Sequence, residues 1–175
     1  LRIINDEKGL GIGARHICIS TCGIIPGIDR FADEPEQFTL AVSLHSAIQS
    51  TRNKLMPGVK KYTLLRLHEA LQLYTEKTGR RPTYEYAMIE GVNDTNPEMQ
   101  ALCDFCEGTL CHVNLIQLND IEGSPLKPSP IHKVEDLQRR LESRGIETTI
   151  RNSRGNDIDA ACGQLKQRFK VQKNA

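Results

Sequence analysis

The stretch TYEYAMIEGVNDTNPEMQALCDFCEGTLCHVNLIQL, residues 83–118, decides the fold. Its opening run, Thr83 to Ile89, and its closing run, His112 to Leu118, are short and rich in β-branched and aromatic residues, as strands are. Between them Pro97 follows Asn96 in the first helical position, where its missing N–H costs nothing. Met99, Leu102, Cys103 and Cys106 then recur on one helical stripe. Strand, helix, strand in this order predicts two parallel strands joined by a right-handed crossover.

The same alternation extends outward. Further strands are expected at His16 to Thr21, Thr39 to Leu44 and Glu147 to Arg151. Leu64, Leu67, His68, Leu71 and Tyr74 follow the i, i+3, i+4, i+7 template behind a Thr63 cap, with Gly79 past the end. Val134, Leu137 and Leu141 form a third amphipathic helix that ends at Gly145. Five strands separated by helices predict an α/β sheet or barrel in one domain. Gly9, Gly11 and Gly13 precede a strand rather than joining strand to helix, so they read as a flexible turn and not a phosphate loop. Asn119 to Ile131, with three prolines and a Gly-Ser, is too broken for an element, and such loops are often functional.

With 175 residues the chain can bury a sizeable core. It has no run of eighteen apolar residues and no charged-then-apolar leader, which predicts no membrane span and a cytoplasmic protein. A net charge of +1 gives no global electrostatic case for nucleic acid. Six cysteines, at 18, 22, 103, 106, 111 and 162, are too few for a disulfide scaffold and are expected to be reduced. The chain starts at Leu1 and enters Gly-rich sequence with no leading element, as expected of a piece of a longer protein.

Polar groups collect at or beyond the carboxy-terminal strand ends: Ser20 and Thr21, Ser43 and His45, Glu90 and Asn93, Asn119 and Asp120. In barrels and open α/β sheets that edge carries the ligand. The same residue types also cap helices and satisfy loop backbone, so the clustering says where a site would be, not what it does. Cys103 and Cys106 form a C-x-x-C, but both lie on the apolar stripe with Met99 and Leu102, and no second pair completes four ligands. They read as core rather than as zinc or redox groups. The five histidines are scattered and make no close metal pair.

RNSRGNDIDAACGQL, residues 151–165, admits two readings. Ile158, Ala161, Cys162, Leu165 and Phe169 fit a helix stripe with Asn156 as cap, which would bury Cys162. Gly155 and Gly163 bracket the same thiol beside two arginines and two acids, as in an exposed reactive loop.

RGNDIDAACGQL resembles the carboxy-terminal signature of the RlmN/Cfr family of radical S-adenosylmethionine (SAM) RNA methyltransferases. ARHICISTCGIIP, LAVSLHSAIQSTRNKLMP, YEYAMIEGVND and HVNLIQLNDIEGSP agree in the same order, so the resemblance spans nearly the whole chain. It implies a partial radical SAM barrel lacking its first strands, residues 1–175 being its carboxy-terminal portion, with the methyl-carrier segment at 151–165. It implies that Cys162 is the S-methylcysteine intermediate, and that Ser20, Ser43, Leu44, His45 and Asn119 line the SAM pocket. The family's 4Fe-4S cluster is held by a C-x-x-x-C-x-x-C loop absent from this chain, as are its Gly-Glu-Pro motif and second essential cysteine. Its chemistry is staged: SAM methylates the carrier thiolate, the cluster cleaves a second SAM to a radical that activates that methyl, and the second cysteine resolves the RNA adduct through a disulfide with Cys162. Arg151 and Arg154 are candidates for favouring the thiolate.

The implied target is carbon 2 of an adenosine in 23S rRNA, and in tRNA for some members, with an electron donor serving the cluster. Transfer to carbon 8, as in Cfr-type enzymes, is the alternative reaction. A cluster-free RNA-binding remnant and a zinc domain on Cys103, Cys106 and Cys111 are rivals from other classes. After anaerobic reconstitution with iron and sulfide, this chain is expected to bind no stoichiometric cluster. A thiolate-to-iron charge-transfer band with about four irons per chain would refute that.

Overall fold

The computed structural model describes residues 1–118 and 124–151. It contains five strands, β1 (Cys18–Thr21), β2 (Thr39–Ser43), β3 (Thr83–Met88), β4 (His112–Gln117) and β5 (Glu147–Arg151). They form one sheet in the order β1-β2-β3-β4-β5, and every neighbouring pair is parallel. Six helices accompany them among the described residues: α1 (Arg2–Asn5), α2 (Ile25–Ala32), α3 (Gln49–Leu55), α4 (Leu64–Thr78), α5 (Asn96–Cys106) and α6 (Ile131–Glu142). Each strand pairs with the next in sequence, as in a barrel wound in one direction, and β1 and β5 are the edges among the described residues.

The predicted helix ends match their chemistry. Thr63 caps α4 by accepting a hydrogen bond from the Arg66 N–H at 3.3 Å. The helix stops at Gly79, whose φ of 65° is left-handed and favours glycine. In α5, Met99, Leu102, Cys103 and Cys106 are all buried, and so are Val134, Leu137 and Leu141 of α6. Cys103 and Cys106 are therefore core thiols: burial pushes Cys103 up, and a hydrogen bond with Cys111 followed by burial pushes Cys106 up.

Five expectations need correction. The first strand begins at Cys18, because Ala14–His16 winds into a short 3-10 turn. A leading element does exist, α1, with Arg2 paired to Glu34 and Glu36. The glycine turn behind it is tied: Gly9 and Gly11 N–H donate to the Asp6 carbonyl at 2.8 and 3.0 Å, and Asn5 Nδ2 to the Ile12 carbonyl at 2.8 Å. Helices α2 and α3 have no counterpart in the periodicity reading. The 124–130 part of the long loop docks on β3, with Glu90 N–H donating to the Lys127 carbonyl at 2.9 Å and Ser129 N–H to the Met88 carbonyl at 3.2 Å.

The core lies on one side of the sheet. Leu40, Val42, Leu44, Tyr84, Tyr86, Met88, Val113 and Leu115 alternate along β2 to β4 and just beyond β2, and meet α2, α4, α5 and α6. Leu102 is fully buried, whereas Leu65 on α4 is 69 % exposed. Leu102→Ala should therefore cost about 2–5 kcal/mol and Leu65→Ala within about 0.5 kcal/mol in urea denaturation. Equal costs would contradict the one-sided core.

Candidate functional site

Parallel sheets are usually apolar on both faces. Here the strand register puts a polar set on the face opposite the core: Cys18 and Ser20 of β1, Thr39 and Ser43 of β2, Thr83 and Glu85 of β3, His112 and Asn114 of β4, Glu147 and Thr149 of β5. One row crosses four strands as Ser43, Glu85, Asn114 and Thr149, each in register with the next. Within it Asn114 Nδ2 donates to Glu85 Oε2 at 2.9 Å, and Thr149 Oγ1 donates to Asn114 Oδ1 at 3.2 Å. His112 Nε2 lies 3.3 Å from the same Thr149 hydroxyl, and burial followed by the Arg81 charge lowers its pKa. At the amino-terminal end of the strands Arg81 pairs with Glu147.

The strand-end residues are held by a buried amide. Asn93, fully buried, accepts the Ile89 N–H on Oδ1 at 2.7 Å, and its Nδ2 donates to the His45 and Ala87 carbonyls, both at 2.7 Å. Its own carbonyl accepts from Tyr86 Oη at 2.9 Å. His45, held at φ 56°, accepts the Ala87 N–H on Nδ1 at 3.1 Å, so its proton is on Nε2. Burial, aided by the Arg52 guanidinium, lowers its pKa to about 4.

Arg52 is itself buried, 1 % exposed, and Nη2 donates to the Cys22 carbonyl at 2.9 Å, fixing the turn after β1. A Cβ on Gly23, at φ 88°, would stand 2.8 Å from that nitrogen. Ser46 Oγ donates to Glu98 Oε2 at 2.7 Å and so joins the end of β2 to α5.

Of the residues expected to form the site, Ser20 and Ser43 share the polar face, one strand apart. His45 follows at the strand end, and Leu44, fully buried in the core, can offer a ligand only its main chain. Asn119 and Cys162 lie outside the described residues, as does segment 151–165 beyond Arg151. Arg151 ends β5 on the polar face, in register with Ile116. Glu85, Asn114 and Thr149 were missed. For Glu85 and Asn114 the signal was the period-two polar alternation in YEY and HVN, which marks one face of a strand as polar, whereas ETT is polar throughout and gives no such signal for Thr149. A cleft of about 530 Å³ between α5 and α6, lined by Asp94, Lys133 and Arg139, contains none of the expected residues.

Known proteins share this sequence and fold. The chain is 45 % identical over 169 residues to a probable dual-specificity RNA methyltransferase RlmN of Clostridium novyi, covering 97 % of this chain and 49 % of that protein. It is 49 % identical over 166 residues to the probable RlmN of Geobacillus thermodenitrificans, covering 95 % and 46 %. It thus spans about half the length of the curated relatives it matches. Among solved structures it is similar to a radical SAM methyltransferase from Sphaerobacter thermophilus, with a TM-score of 0.88 at 44 % identity, covering 93 % of this chain and 48 % of that one. A domain of a pyruvate-formate lyase-activating enzyme from Bacteroides vulgatus shares the fold at TM-score 0.62 and 14 % identity, covering 82 % of this chain and 83 % of the other. No family model matches the chain.

The His45 environment sets a pH dependence. The unfolded chain takes up this proton near the ordinary value of 6.5, the folded chain only near about 4. The stabilisation is therefore complete above pH 6.5 and is lost as pH falls from there to about 4. Up to about 3 kcal/mol is at stake. Urea midpoints should fall over this window, and His45→Asn, which tolerates left-handed backbone and keeps an acceptor, should flatten the fall. The same slope in that variant would mean other groups titrate.

Proposed function

We propose that this chain, which belongs by sequence and fold to the RlmN/Cfr family of radical SAM methyltransferases, forms the SAM-facing wall and the methyl carrier of an RNA adenosine methyltransferase. The observation that carries this reading is the polar row on the uncovered sheet face, Ser43, Glu85, Asn114 and Thr149. A hydroxyl, a carboxylate with one oxygen engaged by Asn114, and adjacent strand-end main chain suit a nucleoside with ribose hydroxyls and a charged amino-acid end.

The residues that would hold SAM are Ser20, Ser43, the main chain of Leu44 and His45, and Asn119. When bound, SAM supplies an electrophilic methyl group. His45, neutral above about pH 4, offers a fixed ring rather than a charge that would repel the sulfonium. Cys162 would accept the methyl group through its thiolate, with Arg151 or Arg154 favouring loss of the thiol proton. The described residues do not fit a 4Fe-4S cluster: Cys103, Cys106 and Cys111 are core thiols, and no group of three His, Cys, Asp or Glu among them could hold a metal. On this reading the cluster's ligands and the second cysteine are supplied from outside this chain.

The target is proposed to be carbon 2 of an adenosine in 23S rRNA, and in tRNA, as the family resemblance implies; the relatives' name, dual-specificity RNA methyltransferase RlmN, supports an RNA substrate. An electron donor and a cytoplasmic setting go with that proposal. Among the described residues no helix is long and apolar enough to cross a membrane.

In catalytically active protein carrying this sequence, the tryptic peptide containing Cys162 should gain one methyl or methylene by mass spectrometry. Cys162→Ala should fold normally and transfer no methyl, since a core thiol would instead cost on the order of 1 kcal/mol of stability and leave activity intact. Ser43→Ala should weaken SAM binding several-fold in calorimetry, as expected for one hydrogen bond of about 1 kcal/mol. An unmodified peptide together with an active Cys162→Ala protein would reject the carrier role.

A further inference from the structure

A net charge of +1 conceals an uneven distribution. Between Glu36 and Glu69 there is no acidic residue, yet Arg52, Lys54, Lys60, Lys61 and Arg66 all fall there. Arg52 is buried and the other four are exposed. Among the described residues none of these four joins an ion pair. The cations of α6 and its end behave differently: Lys133 pairs with Asp94, Arg140 with Asp136, and Arg144 with Asp104.

The four cations also sit on consecutive elements of one corner. Lys54 is in the last turn of α3, Lys60 and Lys61 follow the 3-10 turn Pro57–Val59, and Arg66 is in the first turn of α4. This corner is closed by backbone hydrogen bonds, Met56 N–H to the Arg52 carbonyl at 2.8 Å and Tyr62 N–H to the Val59 carbonyl at 2.9 Å. Gln49 Oε1, at the start of α3, accepts the Leu64 N–H at 2.6 Å. Strands β2 and β3 are parallel neighbours, so α4 must carry the chain from the carboxy-terminal end of β2 back to the amino-terminal end of β3. The start of α4 therefore stands on the strand-end edge with Ser43 and His45. Lys61 Nζ rests 5.0 Å from the centroid of the Tyr62 ring.

We propose that the corner from Lys54 to Arg66 is a phosphate-binding rim that brings the RNA backbone to the ligand edge of the sheet. This rests on the RNA methyltransferase reading above and adds to it the surface that meets the substrate. Unpaired, solvated lysines and an arginine beside a binding edge suit a polyanion whose condensed counterions they displace. Such contacts position the strand and contribute affinity without reading bases. The adenosine is then chosen elsewhere in the site.

The test compares three forms of the chain binding a fluorescein-labelled RNA stem-loop with an adenosine in the loop, followed by anisotropy over a salt series. They are the wild type, the rim variant K54Q/K60Q/K61Q/R66Q, and the equally discharged control K77Q/R80Q/R139Q/R144Q. The rim variant should bind roughly tenfold more weakly or worse, and its slope of log affinity against log salt should shrink by about 3, while the control stays near wild type. All three should melt alike by circular dichroism. SAM affinity of the rim variant should match wild type in calorimetry. Absent SAM binding in every form would count against the SAM reading while leaving the rim result to stand by itself. Equal losses in rim and control variants, or no RNA binding by the wild type, would overturn the rim. Rim-dependent binding to phosphatidylserine vesicles in preference to the RNA would overturn it too.

Discussion

The side-chain amide of Asn93 is the hinge of the structure. Buried between the ends of β2 and β3, it receives the Ile89 N–H and donates to the carbonyls of His45 and Ala87, so three otherwise orphaned backbone groups depend on one side chain. A buried polar group left without partners costs about 1–3 kcal/mol, and here three groups would lose partners together. That coupling explains how His45, a non-glycine residue, is held at φ 56°. Once His45 is held, the direction of the chain after Ser43 is set, and with it α3, the Arg52 guanidinium under the Cys22 turn, and the placing of Ser43 toward the open face.

The open face follows from a second constraint. Among the described residues helices cover one side of the sheet, and the other side carries side chains that would be too costly to bury without partners. Glu85, Asn114 and Thr149 satisfy one another in a row, which leaves the carboxylate oriented but only partly used. A row of this kind is pre-organised: a ligand that meets it pays little to order the groups it binds. The two unpaired sheet edges, β1 and β5, mean that this face is a wall rather than a closed pocket among the described residues. That geometry agrees with a chain that spans about half of its relatives.

Much of this was legible in the residues, unevenly. Helices α4 and α5 and all five strands could be read because their apolar periods are clean and their start signals, the Thr63 cap and Pro97 in the first turn of α5, are strong. Helix α2 was not: its Ile25, Pro26 and Gly27 start looks like a turn, although Ile25, Ile28 and Ala32 all reach the core. Helix α3 shows almost no apolar stripe, since its one buried residue is Arg52, which no hydrophobic period would flag. At the site, Ser20, Ser43 and His45 could be placed at strand ends from spacing. Glu85 and Asn114 show in the sequence only as polar positions between apolar ones, and the row they form with Ser43 is known only from the pairing register.

Cysteine and charge share one lesson about scale. The C-x-x-C at 103 and 106 is the conspicuous sulfur motif by spacing, yet helix register sends both thiols into the core, where loss of solvation holds the proton on Cys103. The net charge is nearly neutral, yet the corner from Lys54 to Arg66 is locally unopposed. In both cases the bulk property averages over environments that differ by more than the property itself. Screening at physiological salt extends only about 8 Å, so an incoming polyanion meets the charges of one corner and not the sum over the chain. A thiol likewise responds to the few groups within hydrogen-bonding and Coulomb reach. Local environment, placed by the fold, therefore decides which cysteine can react and which surface can attract RNA, and neither follows from composition.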